Sequence, residues 1–247
     1  MNDINIFIDK NEFYDVPVTF DNVLDYYKLA KDLLISECRN RNIYLKVNLP
    51  DRETYMRRKD GIIRFSNISE FLPWHRKHVT EYHIMMGRYV PYAVINLNPG
   101  PDTPFNIIKE ITLKLTKELE EMEPIDSVEI VFSGNLGFHL HVHFKERLKV
   151  TEARNLLIDF YLNKNQTIPG LVYNTIPYKN QVLFDLSTTG LGRGHISKWS
   201  LKSPTGLVAL PVRKDQMLRF RKEHATFTRV LKYFKNIPYE IQPNTLK

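Results

Sequence analysis

Two identical amides stand one residue apart in the run YAVINLNPG, at Asn96 and Asn98. The apolar Tyr-Ala-Val-Ile before them predicts a buried strand, and residues i and i+2 of a strand project from one face. Paired carboxylates at such a strand end would suit acid–base or metal chemistry. Paired amides do not.

A second candidate is FSGNLGFHLHVHF. Gly134 and Gly137 bracket a short turn between two predicted strands, where glycine lets backbone approach a phosphate, and Ser133 adds a hydroxyl. His139, His141 and His143 alternate with apolar residues and share one strand face. Two readings stay open: a solvated hairpin face, or a groove whose imidazoles donate to phosphate oxygens. A zinc site is disfavoured, because three in-line histidines span roughly 13 Å of strand, too far for one ion at about 2 Å.

The third candidate is VLFDLSTTGLGRGHISKWSLKSPTGLVALPV. Asp185 ends an apolar strand, and a Gly-rich basic stretch follows with Arg193, His195, Lys198, Ser200 and Lys202. A carboxylate beside basic and hydroxyl groups suits a metal–triphosphate site. A flexible surface loop is the competing reading. Arg64, inside the short strand pattern IIRFS (62–66), taken alone reads as an edge-strand residue facing water.

The elements that must position these residues follow from periodicity and caps. Asp21 marks a helix N-terminus, with a helix near 22–41. IYLKVNLP (43–50) alternates as a strand, and the later part of SEFLPWHRKHVTEYHIMMGRY reads as helix with Pro73 near its start. Thr103 and Pro104 supply an N-cap and first-turn pair for a helix from 104 to about 122. Thr151 caps another, to about 163. QVLFDLS (181–187) and GLVALPV (206–212) read as strands, and Arg213–Phe234 as mostly basic helix. Strands mixed with helices and a tight β-turn-β predict an α+β fold rather than a doubly wound sheet.

Composition bounds the partner. The 247 residues carry a formal net charge of +7, which favours a polyanion. Arg213, Lys214, Arg219, Arg221 and Lys222, and Arg57, Arg58 and Lys59, are plausible phosphate contacts or solvated faces. One cysteine, Cys38, forbids an intramolecular disulfide and fits a core position in a reducing compartment. No membrane span or signal peptide is expected.

Together the three segments resemble the archaeo-eukaryotic primase superfamily, which includes the DNA primase small subunit, primase-polymerases and the polymerase domain of end-joining ligases. The family pattern is a strand ending in Asp-x-Asp, then Ser-Gly-x-x-Gly-x-His, then a strand ending in Asp, then a Ser-containing stretch with Thr-Gly and a closing strand. SGNLGFH (133–139) matches each fixed position, FDLS supplies Asp185, and SLKSPTGLVALPV resembles the closing segment. IIRFSN resembles the strand carrying a phosphate-binding Arg. DNVLDYYKLAKDLL, IYLKVNLPD and NPGPDTPF are similar to the end-joining branch.

The resemblance implies one catalytic domain over 1–247, with mixed or antiparallel sheets flanked by helices. A part about 1–90 would pack on a core about 91–215, followed by a basic helical segment. It implies DNA-dependent nucleotidyl transfer from an NTP or dNTP to a 3′-hydroxyl by a two-metal mechanism, with Mg²⁺ or Mn²⁺ and no zinc. Positions 96, 98 and 185 would be catalytic and metal-holding. Arg64, Ser133, Gly134, Gly137, His139, Lys198, Ser200 and Lys202 would hold the triphosphate. Arg193, His195, Arg213 and Arg219 would contact nucleic acid. Expected partners are a DNA template and primer, nucleoside triphosphates, and ligase, helicase or other replication and repair proteins, in the cytoplasm of a prokaryote or from a plasmid or virus.

The departure is at the first motif, NLNPG where DLDPG is expected. Asn is nearly isosteric with Asp, so the fold should survive while the metal site weakens. Two like-for-like replacements with SGxxGxH intact favour a deliberately disabled form. A natural non-catalytic subunit that binds nucleotide or single-stranded DNA is the alternative.

Overall fold

The computed structural model describes residues 13–14, 18–49, 52–56, 79–164, 167–203 and 205–236. IIRFS with Arg64, Pro73, and Arg57, Arg58 and Lys59 lie outside the described residues. The first described helix is α1 (Phe20–Cys38). Its cap is Thr19 rather than Asp21: Thr19 Oγ1 accepts from Asn22 N–H, and Asn22 Oδ1 accepts from Thr19 N–H. The reciprocal pair satisfies two of the backbone donors that a helix start leaves orphaned.

Strands β1 (Ile43–Leu49), β2 (Arg52–Met56) and β3 (Val79–Met85) follow, then β4 (Tyr89–Pro99). The predicted helix in the later part of 70–89 is therefore a strand over 79–85. Its first six residues are buried, so the polar positions of the short alternation Glu81-Tyr82-His83-Ile84 face protein and not solvent. Helix α2 (Phe105–Glu120) leads to β5 (Ile125–Phe132) and β6 (Phe138–Lys149), the strand–turn–strand unit. Pro104 is the N-cap of α2 and makes no side-chain cap bond. The Thr103 hydroxyl instead accepts from Asn180 N–H at 3.1 Å.

Helix α3 (Val150–Lys164) starts one residue before Thr151, and Glu152 Oε2 accepts from Lys149 N–H at 3.1 Å. Short strands β7 (Leu171–Val172), β8 (Val182–Asp185), β9 (Gly194–Ile196) and β10 (Leu210–Pro211) complete the sheets. GLVALPV is mostly irregular, tied by single bridges at Leu207 and Val208. The basic C-terminal stretch is two 3₁₀ turns (Lys214–Arg219, Lys222–Ala225) before α4 (Phe227–Asn236), not one helix.

The result is an α+β fold with two sheets. One runs β2-β1-β3-β9 and the other β10-β5-β6-β4-β8-β7. Every pair is antiparallel except β7–β8. One face of the six-stranded sheet, with Ile95, Leu97, Ile130, Phe138, Leu140 and Phe184, buries against α2 and α3 through Ile108, Leu115, Leu119 and Leu157. This apolar burial is the main drive for the larger unit. Around the four-stranded sheet, Tyr26, Tyr27 and Leu34 of α1 pack with Tyr82, Ile84, Leu201 and Val208. Cys38 is buried there, and burial pushes its thiol up to about 12.

Candidate functional site

The opposite face of the six-stranded sheet carries the chemistry-bearing residues. β4 lies between β6 and β8, so Asn96 faces His139 on one side and Asp185 on the other. Three segments far apart in sequence are thereby drawn into one cross-strand row. Asn98 lies two residues along the same face of β4.

The Asp185 carboxylate is the hub. Asn96 Nδ2 and Asn98 Nδ2 donate to its Oδ2 at 3.4 and 3.5 Å. Ser187 N–H donates to Oδ1 at 2.7 Å and Ser187 Oγ to Oδ2 at 2.9 Å. The chain folds this way locally because an Asp carboxylate readily bonds backbone two residues on. Beside it, Tyr44, Ser187, Thr188, Gly192, Arg193 and Gly194 line a cleft of about 370 Å³. Arg193 is exposed at its edge.

At the turn, Ser133 N–H donates to Gly137 O at 3.0 Å, and the Ser133 side chain is half-buried. The glycines are explained by protein packing. A Cβ at Gly137 would stand 1.9 Å from Leu97 O, and one at Gly134 (φ +79°) 2.7 Å from Lys202 Cβ. The turn is pressed against the strand bearing Asn96 and Asn98 and against the closing segment.

The profile of the family described as LigD, primase-polymerase domain, matches residues 52–238. The chain belongs to the LigD primase-polymerase domain family. Among solved structures, the polymerase domain from Mycobacterium tuberculosis Ligase D in complex with DNA matches with a TM-score of 0.78 and 16% identity, over 95% of this chain and 93% of that one. The AEP domain of the cyanophage S-2L primase-polymerase matches at 13% identity and a TM-score of 0.42, over 81% and 96% of the two chains. No curated protein sequence matches.

In this LigD-type primase-polymerase fold, a pair of divalent ions would need carboxylates at 96 and 98 beside Asp185. The residues present do not fit such a pair. One carboxylate and two neutral amides supply a single negative charge, and neither amide oxygen can bridge two ions well. Among the described residues no group of three His, Cys, Asp or Glu side chains stands where an ion could be held. Nor is Asp185 short of partners, since four donors already surround it.

Three of the expected triphosphate ligands have protein partners. Lys198 Nζ pairs with Glu37 at 3.0 Å and Glu129 at 2.9 Å. Burial alone would lower its ammonium, but the two carboxylates more than offset this and hold it above the usual lysine range. Lys202 pairs with Glu81 at 3.1 Å. Ser200 is fully buried, and its Oγ accepts from Tyr82 N–H at 2.9 Å, so it fastens the closing segment to β3.

Glu81 was missed from sequence, because its segment read as helix. It is fully buried and also meets Lys46 at 3.2 Å, His83 at 2.9 Å and the Ser203 N–H at 2.9 Å. Burial would raise its carboxyl, yet the His83 hydrogen bond and the lysine charges win and hold it well below the usual carboxylate range. It joins β1, β3 and the closing segment.

The histidine face is largely covered by protein. His139 and His141 are buried, His143 half-buried. β9 covers them: the His195 ring meets His141 at 5.0 Å between centroids and Tyr92 at 5.7 Å. His195 is 2% exposed, with Nε2 3.2 Å from the Tyr92 hydroxyl, so it is placed inside and away from any strand in solvent. Arg41, also missed, donates to that hydroxyl. Burial, then the Lys202 and His83 charges, push His139 down to about 3, with Nδ1 unpartnered. Arg213 is exposed and forks onto Asp215 at 3.0 and 2.8 Å. Arg219 is exposed and lies at a different cleft, on the α2 side.

Proposed function

We propose that the natural activity of this fold is template-dependent nucleotidyl transfer from an NTP or dNTP to a DNA 3′-hydroxyl, and that the chain with Asn96 and Asn98 binds its substrates without turning them over. One observation carries the reading: the Asn96–Asp185 row, in which amides occupy both positions next to the surviving carboxylate. Family membership supports the reaction class. His139, which faces Asn96 in register, Ser133 in the turn before β6, and Arg193 in the cleft beside Ser187 are assigned to the triphosphate and the strand it meets. Lys198 and Lys202 are assigned to holding the closing segment beneath them, because each is already offset by carboxylate. The family supports a prokaryotic setting for such chemistry. Among the described residues no helix is long and apolar enough to cross a membrane.

A second reading is that the amides are native and the chain is a binding subunit. It is favoured by the complete hydrogen bonding of Asp185, which leaves the carboxylate satisfied with no cation. Isothermal titration with a deoxynucleoside triphosphate tests what the two readings share. Saturable binding that is weakened by His139→Ala is expected. No binding at millimolar triphosphate would overturn both.

A further inference from the structure

A second cleft opens on the other face of the six-stranded sheet, where the start of α2 meets the two 3₁₀ turns. Its volume is about 840 Å³, and its walls include Phe105, Lys109, Arg219, Arg221 and Lys222. Glu223 is the one carboxylate among the lining residues. Among the described residues, Arg219, Arg221 and Lys222 make no ion pair with any carboxylate, unlike Lys198, Lys202, Arg213 and Lys214, which do.

The cluster is built, not incidental. Lys109 is 4% exposed, and its ammonium donates to Leu218 O at 2.7 Å and Phe220 O at 3.3 Å, fixing the turn that carries Arg219 and Arg221 onto α2. Lys222 Nζ lies 5.5 Å from the Phe105 ring centroid and Lys109 Nζ 5.6 Å. The first turn of α2 contains no acidic residue. Cations thus gather at the helix end that already carries the positive pole of the backbone dipole, an arrangement that repels itself until an anion enters. Concavity with a cationic rim and an aromatic floor matches the grooves that track single strands, in which phosphates meet cations and bases or sugars meet rings.

We propose that this cleft binds the phosphate backbone of single-stranded nucleic acid through Arg219, Arg221 and Lys222, with Phe105 as its apolar floor. The assignment rests on the reading of the chain as a DNA-binding primase-polymerase fold and adds a site across the sheet from Asn96 and Asp185. Phe105 packs on Phe132 and Phe138, the residues flanking the 133–137 turn, so the cleft opens at the same end of the sheet as that turn. A strand leaving the Asn96 face can round the turn and enter it.

The test is fluorescence anisotropy of a labelled oligothymidylate, at several salt concentrations, with the full chain, the triple variant Arg219→Ala/Arg221→Ala/Lys222→Ala, and the control Lys145→Ala. The triple variant should bind at least about tenfold more weakly, with a log–log salt slope shallower by about two, since each lost single-strand phosphate contact removes about 0.7. The control should bind as the parent does, and circular dichroism should show all three folded. Triphosphate binding, measured separately by titration, should be unchanged in the triple variant. An unchanged oligonucleotide affinity and slope in the triple variant would overturn the cleft assignment while intact triphosphate binding upheld the site reading. Loss of triphosphate binding by the parent would overturn that reading instead. A duplex of equal length that suffers the same loss in the variant would overturn the single-strand assignment.

Discussion

Asn96 and Asp185 are direct partners across β4 and β8, with the amide donating to the carboxylate at 3.4 Å. An aspartate at 96 would turn this contact from a hydrogen bond into a repulsion, and one at 98 would add a second. Metal-free Asn96→Asp/Asn98→Asp protein should therefore be less stable than the chain as it stands, by about 1–3 kcal/mol. Manganese should raise the melting temperature of the double variant and leave that of the parent chain unmoved. Thermal melts with and without the ion measure both.

Glu81 holds Lys46, His83, Lys202 and the Ser203 amide with no exposure to water. Removing one side of a buried charged network strands the other. Glu81→Gln should cost about 3–5 kcal/mol in urea unfolding. Lys145→Ala, at an exposed position, should change stability by less than about 0.5 kcal/mol.

The glycines of the 133–137 turn should differ in tolerance from the loop glycine Gly192. Gly137→Ala drives a methyl to 1.9 Å of Leu97 O, a backbone atom that cannot step aside without moving β4. It should leave little folded protein. Gly192 has open space around its would-be Cβ and only a positive φ of +70° against it. Gly192→Ala should cost about 1 kcal/mol. Circular dichroism and soluble yield distinguish the two.

Buried histidines set the acid limit. Burial holds His141 and His195 well below, and His139 near about 3, and Lys198, Lys202 and Arg41 add positive charge around them. An unfolded histidine titrates near about 6.5. Below that pH the unfolded chain takes up protons that the folded one refuses. The stability is thus full above pH 6.5 and is lost as pH falls from there toward 3, at up to about 1.4 kcal/mol per pH unit for each histidine. Urea melts at pH 7, 6 and 5 should show a steep fall, and His141→Phe should flatten it. A flat profile from pH 7 to 5 would contradict the buried neutral assignment.

Much of the row was readable from sequence because each motif ends a strand: apolar runs predicted β4 and β8, and glycines marked the turn before β6. Pairing between β4 and β8 was not readable, since periodicity says which face a residue takes but not which strand it neighbours. The 79–85 strand reads as helix from sequence although Glu81, Tyr82, His83 and Ile84 alternate polar with apolar, because that alternation lasts only four residues before Met85 and Met86 break it. Carboxylates brought in by the fold explain why Lys198 and Lys202 look available for phosphate from sequence. Their partners Glu37, Glu129 and Glu81 come from α1, β5 and β3, and only the folded sheets bring them close. Charge counting also missed the contrast at the C-terminal turns, where Arg213 has Asp215 beside it while Arg219 and Arg221 have no acid partner among the described residues.

We propose that two amides in place of carboxylates are what keep this chain from nucleotidyl transfer. Primer extension on a templated DNA with manganese, by the parent and by Asn96→Asp/Asn98→Asp protein, tests it most directly. The account predicts no extension by the parent and extension by the double variant, abolished again by Asp185→Asn. A folded double variant that extends no primer with either manganese or magnesium, or a parent chain that extends as well as the variant, would contradict it.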